Sequence, residues 1–302
     1  MKRDFLRLRD FSTEEIDHLI KRALEFKSGR DASKCPLIGR SIGLIFEKAS
    51  TRTRVSFEVG IYQLGANSIY LNPKEIQLGR GETIHDTAKT LSRYLHAIVI
   101  RTFSHNILID FAANSSIPII NGLSDLHHPC QALADLMTVI EKKGKLMGLN
   151  IAYIGDSNNV ANSLIEASSR MGINLTIACP KGYEPDPDVL KEAKASAKSE
   201  IKIIRDPKDS AMGADVLYTD VWVSMGQEKE EKQKKKKFKA YQLNSKIVSY
   251  AKKDAIVLHC LPAHRGEEIT DDVIDSPQSA VFDQAENRLH VQKALLEFLL
   301  YA

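Results

Sequence analysis

Uninterrupted apolar runs and stretches of helical periodicity take turns along this chain. Residues 42–46 form a short apolar run, and Val55, Phe57 and Val59 then follow among polar positions, predicting a buried strand and a helix to about residue 64. The same alternation predicts a strand over 68–71, a helix over 83–95, a buried strand over 97–101, a helix over 105–113 and a strand over 118–121. Ser12-Thr13-Glu14-Glu15 is a capping-box signature, followed by Ile16, Leu19, Ile20 and Leu24 at helical spacing. Residues 72–82, with Pro73, Gly79 and Gly81, read as a mobile loop. A helix starting after His128-Pro129 and running to about Lys143 marks a domain junction. Strands over 149–154, 175–179, 201–204, 216–219 and 256–258 then alternate with helices over 160–171 and 186–198, and a helix over 287–299 ends the chain. Strands separated by helices of this length predict parallel β-α-β units.

The length of 302 residues fits about two domains of ~150 residues. The expected fold is α/β: two similar three-layer domains, each with a central, mostly parallel sheet flanked by helices. With 43% hydrophobic and 27% charged residues the chain reads as globular, and a formal charge of 42 − 39 = +3 gives no reason to expect nucleic acid as a partner. No apolar stretch approaches ~18 residues, so no membrane partner is expected, and the N-terminal residues do not read as a secretory signal. Cys35, Cys130, Cys179 and Cys260 are widely spaced, which suits a reducing, cytoplasmic setting. Residues 228–239, with four consecutive lysines at 234–237, read as a solvated, partly mobile loop rather than a polyanion-binding tract.

Ligands of open α/β sheets collect at the C-terminal ends of strands. There the first half places Ser50-Thr51-Arg52-Thr53-Arg54, Arg101-Thr102 and His127-His128-Pro129-Cys130-Gln131. The pentapeptide sits at a strand-to-helix junction, where backbone N–H groups and the helix dipole favour an anion, and a guanidinium adds a forked contact. A capped helix with arginines facing water is the alternative, and these five residues do not choose between them. The second half places Asn158 and Asn159, then Asp220 with Ser224-Met225-Gly226, then His259-Cys260-Leu261-Pro262. A cationic set suits a phosphate compound, and a set with a carboxylate, amides and a thiol suits an amine. Two unlike sites point to group transfer. Neither G-x-G-x-x-G nor a P-loop is present. His259, Cys260 and His264 lack metal-site spacing, and neighbours at a strand end are expected on opposite faces, so no metal is expected.

Together, Ser50-Thr51-Arg52-Thr53-Arg54, His128-Pro129-Cys130-Gln131, Asp220-Val221-Trp222-Val223-Ser224-Met225-Gly226 and the segment from His259 through Cys260-Leu261-Pro262 to Gly266 closely resemble the ornithine carbamoyltransferases, within the aspartate/ornithine carbamoyltransferase superfamily. The resemblance implies a carbamoyl-phosphate domain over 1–132, with the C-terminal helix of about 289–302 packing back on it, and an ornithine domain over 133–288. It implies that Ser50, Thr51, Arg52, Thr53, Gln77, Arg101, His128, Gln131, Cys260, Leu261 and Arg288 bind carbamoyl phosphate. Asn159, Asp220, Ser224 and Met225 would bind ornithine, and Arg52, Arg101, His128, Asp220 and Cys260 would carry the chemistry. Citrulline and phosphate would be the products, with no cofactor, in a homotrimer or a larger assembly of trimers serving arginine synthesis or breakdown. Whether Arg54 touches substrate or braces the loop by an internal ion pair is left open. A transcarbamylase for putrescine or an acylated ornithine is the same-class rival, and a silent binding protein is the rival from another class.

Overall fold

The computed structural model describes residues 2–30, 35–74, 81–223 and 231–301, which fall into two compact units. One comprises Met1–Met137 with Glu286–Ala302, and the other Thr138–Ala285.

In the first unit, α1 (Thr13–Lys27) opens on the expected capping box, with Ser12 Oγ accepting from Glu15 N at 3.2 Å and Glu15 Oε2 accepting from Ser12 N at 2.8 Å. The chain then runs β1 (Ser41–Phe46), α2 (Thr51–Gln63), β2 (Asn67–Leu71), α3 (Ile84–Leu91), β3 (Ala97–Arg101), α4 (His105–Asn114), β4 (Ile119–Leu123) and into α5 (Pro129–Lys143). The four strands form a parallel sheet in the order β2-β1-β3-β4. β3 is buried along its whole length, which explains why its sequence is an apolar run rather than an alternation. The order reverses at β1 and β3, so the residues following these two strands stand at the switch point of the sheet.

The second unit repeats the plan with β5 (Asn150–Ile154), α6 (Asn159–Met171), β6 (Asn174–Ala178), α7 (Pro187–Ser196), β7 (Ile201–Ile204), α8 (Pro207–Ala211) and β8 (Val216–Thr219). It continues through α9 (Glu231–Phe238), α10 (Ser245–Val248), β9 (Ile256–His259) and α11 (Asp271–Ile274). Its five strands are parallel in the order β7-β6-β5-β8-β9, with the switch point at β5 and β8. Helix α12 (Val281–Tyr301) ends the chain, and from Glu286 onward it belongs to the first unit. There Lys27 Nζ donates to Asn287 Oδ1 at 2.8 Å, and Arg22 reaches Glu297 with Nε at 2.5 Å.

The expectation for residues 228–239 fails. The lysine-rich segment, read as a solvated loop, is helical from Glu231, and Lys234 and Phe238 are 3% and 0% exposed. Four residues apart, they share one helix face, while Glu231 and Lys235 pair across one turn at 2.6 Å. Phe238 packs into the core of this unit, with ring centroids 4.8 Å from Tyr183 and 6.0 Å from Trp222. Replacing Phe238 with alanine should therefore cost about 3–5 kcal/mol in denaturant unfolding. A loss within experimental error of zero would mean that α9 is not anchored.

Candidate functional site

The first cluster is built on the N-terminus of α2. Ser50 is its N-cap, with φ −160° and Oγ accepting from Thr53 N at 3.1 Å. The cap turns Thr53 inward, where its hydroxyl is shared by two guanidinium groups: Arg288 Nη2 donates to it at 2.7 Å and Arg101 Nη1 at 3.4 Å. Arg288 Nη1 also donates to Gln131 Oε1 at 2.8 Å and lies 3.3 Å from His128 Nε2. Gln131 Nε2 in turn donates to Asp135 Oδ1 at 2.9 Å, which fixes which end of the amide faces the arginine. Thr53, Arg101, His128, Gln131 and Arg288 are all buried, Arg52 and Ser50 are half-buried, and Thr51 is exposed.

Electrostatics make this cluster cationic. Burial holds His128 well below the usual histidine pKa, and the charges of Arg288, Arg101 and Arg52 push it the same way. A neutral imidazole beside three guanidinium groups leaves their positive charge for an incoming anion. Cys130, whose Sγ donates to Asn121 O at 3.4 Å, is pushed up to about 12 by burial and so serves as packing rather than as a nucleophile. Arg54 faces elsewhere. Its Nε donates to Glu58 Oε1 at 2.9 Å and its guanidinium lies 3.8 Å from the Tyr70 ring centroid. These residues line a cleft of about 500 Å³ with Phe46, Ser50, Thr51 and Val55.

The second cluster stands at the other switch point. Gly155, at φ 143°, turns the chain out of β5, and a side chain would be strained there. Asn158 then caps α6, its Oδ1 accepting from Val160 N at 2.9 Å, while its Nδ2 donates to Asp220 Oδ2 at 2.6 Å. The other oxygen of Asp220 accepts from Val221 N at 2.8 Å and from Cys260 Sγ at 2.9 Å. Asp220 is 5% exposed, whereas Asn159, Cys260 and Leu261 are half-buried.

His259 and Cys260 do not diverge as strand alternation predicts. Ligand atoms of Asp220, His259 and Cys260 lie within 4.8 Å of one another, because β9 ends at His259 and Cys260 lies beyond the pleat. Both ring nitrogens of His259 are engaged. Nδ1 accepts from Leu261 N at 2.9 Å, so Nε2 carries the proton toward Glu268 Oε1 at 3.1 Å. A cation taking His259 as a ligand would have to break one of these bonds. Leu261 itself adopts φ 56°, a conformation costly for a non-glycine residue and held here by its bond to His259.

Among the predicted site residues, Gln77, Ser224 and Met225 lie outside the described residues. Ser50, Thr53, Arg101, His128, Gln131 and Arg288 come together in the first unit, and Asp220 and Cys260 in the second. Lys234, which the charge pattern places in a solvated run, instead has its Nζ 2.6 Å from Asp156 Oδ2. The signal was its four-residue spacing from Phe238, hidden by the surrounding lysines.

Two family models match the chain. The aspartate/ornithine carbamoyltransferase carbamoyl-P binding domain matches residues 3–141, and the Asp/Orn binding domain of the same family matches residues 147–299. The chain is 52% identical over 302 residues to a protein of Syntrophus aciditrophicus named ornithine carbamoyltransferase, covering 99% of this chain and 100% of that one. It is likewise 52% identical over 303 residues to the ornithine carbamoyltransferase of Thermococcus kodakarensis, covering 99% of this chain and 96% of the other. Among solved structures, the ornithine carbamoyltransferase from Pyrococcus furiosus aligns with a TM-score of 0.96 at 49% identity, over 100% of this chain and 98% of that one.

The electrostatic picture has a direct check. At pH 6.5, where an ordinary histidine is half protonated, NMR of labelled imidazoles should find His128 neutral. A His128 imidazolium at that pH would contradict the buried, cationic surroundings assigned to it.

Proposed function

We propose that this chain, which belongs to the aspartate/ornithine carbamoyltransferase family, transfers the carbamoyl group of carbamoyl phosphate to the δ-amine of L-ornithine, giving L-citrulline and phosphate. The observation that carries the reading is the presence of two unlike clusters, one in each unit: convergent guanidinium groups at the N-terminus of α2, and a buried carboxylate, Asp220, at the switch point of the second sheet.

Ser50, Thr51, Arg52 and Thr53 are the residues we assign to the phosphate, through N–H groups, hydroxyls and the Arg52 guanidinium. Arg101, His128, Gln131 and Arg288 are assigned to the carbamoyl end, with Gln77, Cys260 and Leu261 as further contacts. Asn159, Asp220, Ser224 and Met225 are assigned to ornithine. The chemistry supports this division. As the amine attacks, an oxyanion develops on the carbamoyl oxygen and charge builds on the departing phosphate, and Arg52, Arg101 and Arg288 are cations suited to both. His128 is kept neutral, so it can donate or accept a hydrogen bond without adding a proton that titrates near neutral pH.

The nucleophile must be the free amine. A lysine-like amine titrates near ~10.4, so presenting it unprotonated at pH 7 costs roughly 4–5 kcal/mol. A cationic phosphate site disfavours the ammonium form, and Asp220 is suited to the α-ammonium rather than to covalent chemistry. Cys260 already donates to Asp220, which fits a polar role beside the amine. The carbamoyl group is activated by its phosphate, so orientation for direct attack is the main contribution asked of the protein.

A homotrimer, or an assembly of trimers, is the quaternary state we infer. Val55, Val59 and Tyr62 on α2 and Ile69 and Tyr70 on the edge strand β2 are large apolar residues left exposed, which favours self-association. A cytoplasmic site in arginine synthesis or breakdown fits the scattered thiols. Among the described residues no helix is long and apolar enough to cross a membrane.

Offering the purified protein carbamoyl phosphate with ornithine, putrescine and an acylated ornithine, and measuring phosphate and ureido product, tests the reading. Ornithine should be the productive acceptor; turnover with putrescine alone would refute it. Arg52→Ala should reduce turnover by about 10²–10³-fold at saturating ornithine, and an unchanged rate would remove Arg52 from the transition state. Asp220→Ala should raise the ornithine KM by at least roughly tenfold with carbamoyl-phosphate binding intact. A collapse of carbamoyl-phosphate affinity would contradict the two-site division.

A further inference from the structure

We propose that Lys234 is a positioning residue for the amino-acid site, whose ammonium, held against Asp156, fixes the 155–158 loop that presents Asn158 to Asp220. The inference deepens the function proposed above and rests on it.

Lys234 belongs to a run of four lysines, yet the fold treats it differently from the others. Lys236 and Lys237 are exposed and Lys235 half-exposed, pairing with Glu231 and Glu267, each at 2.6 Å. Lys234 is 3% exposed, with Nζ 2.6 Å from Asp156 Oδ2 and 5.4 Å from the Tyr183 ring centroid. Burying an ammonium is costly unless it is closely paired, and removing one partner of such a pair strands the other charge. A buried lysine on a helix whose other lysines are exposed or half-exposed therefore marks a specific need for a cation at that place.

Asp156 shows what the cation serves. It follows Gly155, the residue that turns the chain out of β5, and its carbonyl accepts from Tyr153 Oη at 2.9 Å and from Asn158 N at 2.8 Å. Asn158 then donates to Asp220 at 2.6 Å. One continuous set of contacts thus runs from Lys234 through the Asp156 loop to Asp220. Asp156 and Asp220 are both buried and close enough to repel: burial and the charge of Asp220 push Asp156 up, while Lys234 pulls it back. With Lys234 in place, one acid is neutralised and Asp220 alone is presented to a single ammonium group.

Steady-state kinetics with both substrates, together with calorimetric titration of carbamoyl phosphate, separate this role from plain structural support. Lys234→Met should raise the ornithine KM about tenfold or more while carbamoyl-phosphate affinity stays within about twofold, and Lys234→Arg should restore the KM to within about threefold. Lys234→Met combined with Asp156→Asn, which removes both charges, should recover part of the single-variant loss. An unchanged ornithine KM in Lys234→Met, an equal loss for both ligands, or no rescue by arginine would overturn the proposal. Should Lys234→Met fail to fold, Asp156→Asn carries the same expectation of a raised ornithine KM. Wild-type turnover with ornithine, measured first, distinguishes a failure of the underlying reading, which would remove this inference too, from a failure of the inference itself.

Discussion

The hydroxyl of Thr53 is the constraint on which the cationic cluster of the first unit depends. It accepts from Arg288 and Arg101, and its own backbone N–H is tied to Ser50. Bonds from a charged donor contribute about 1.5–3 kcal/mol each, enough to hold two long side chains that would otherwise seek water. They hold the guanidinium groups against a helix N-terminus, where the backbone already favours an anion. Once Arg288 is so placed, its remaining N–H groups orient Gln131 and lie against His128, and burial, reinforced by the accumulated charge, keeps that histidine neutral. The cationic cluster is thus a consequence of packing around one hydroxyl.

The second unit solves the opposite electrostatic problem by the same topology. Its switch point lies at β5 and β8, as the first lies at β1 and β3, and each strand end delivers one half of a cluster. Here the centre is a carboxylate. Asp220 is held by the Asn158 amide, by its own neighbour's N–H and by the Cys260 thiol, all of them neutral donors. Two sheets of one architecture, with the charge at their switch points inverted, suit a reaction that joins a phosphate-borne electrophile to an amine.

Much of this was legible in the sequence, for identifiable reasons. The strands announced themselves because parallel strands buried on both faces are continuous apolar runs, as in residues 97–101. The α1 capping box was readable from residue type and spacing alone. The residues at strand ends could be enumerated without knowing strand order. The order itself, and with it the switch points, depends on tertiary pairing that no local pattern encodes. Two local rules also misled. Like-charge runs suggest solvated loops, yet Lys234 and Phe238 lie on a buried helix face because charge composition says nothing about period. Strand alternation suggested that His259 and Cys260 diverge, but the strand ends between them, and Leu261 folds its N–H back onto His259.

The account stands or falls on where an anion and an amino acid bind, and a crystal structure with a bisubstrate analogue, a phosphonate joined to the δ-nitrogen of ornithine, reads both at once. The phosphonate should lie at the N-terminus of α2, within hydrogen-bond distance of the Arg52 guanidinium, with the α-ammonium on Asp220. A phosphonate bound away from α2, or an α-ammonium without contact to Asp220, would contradict it.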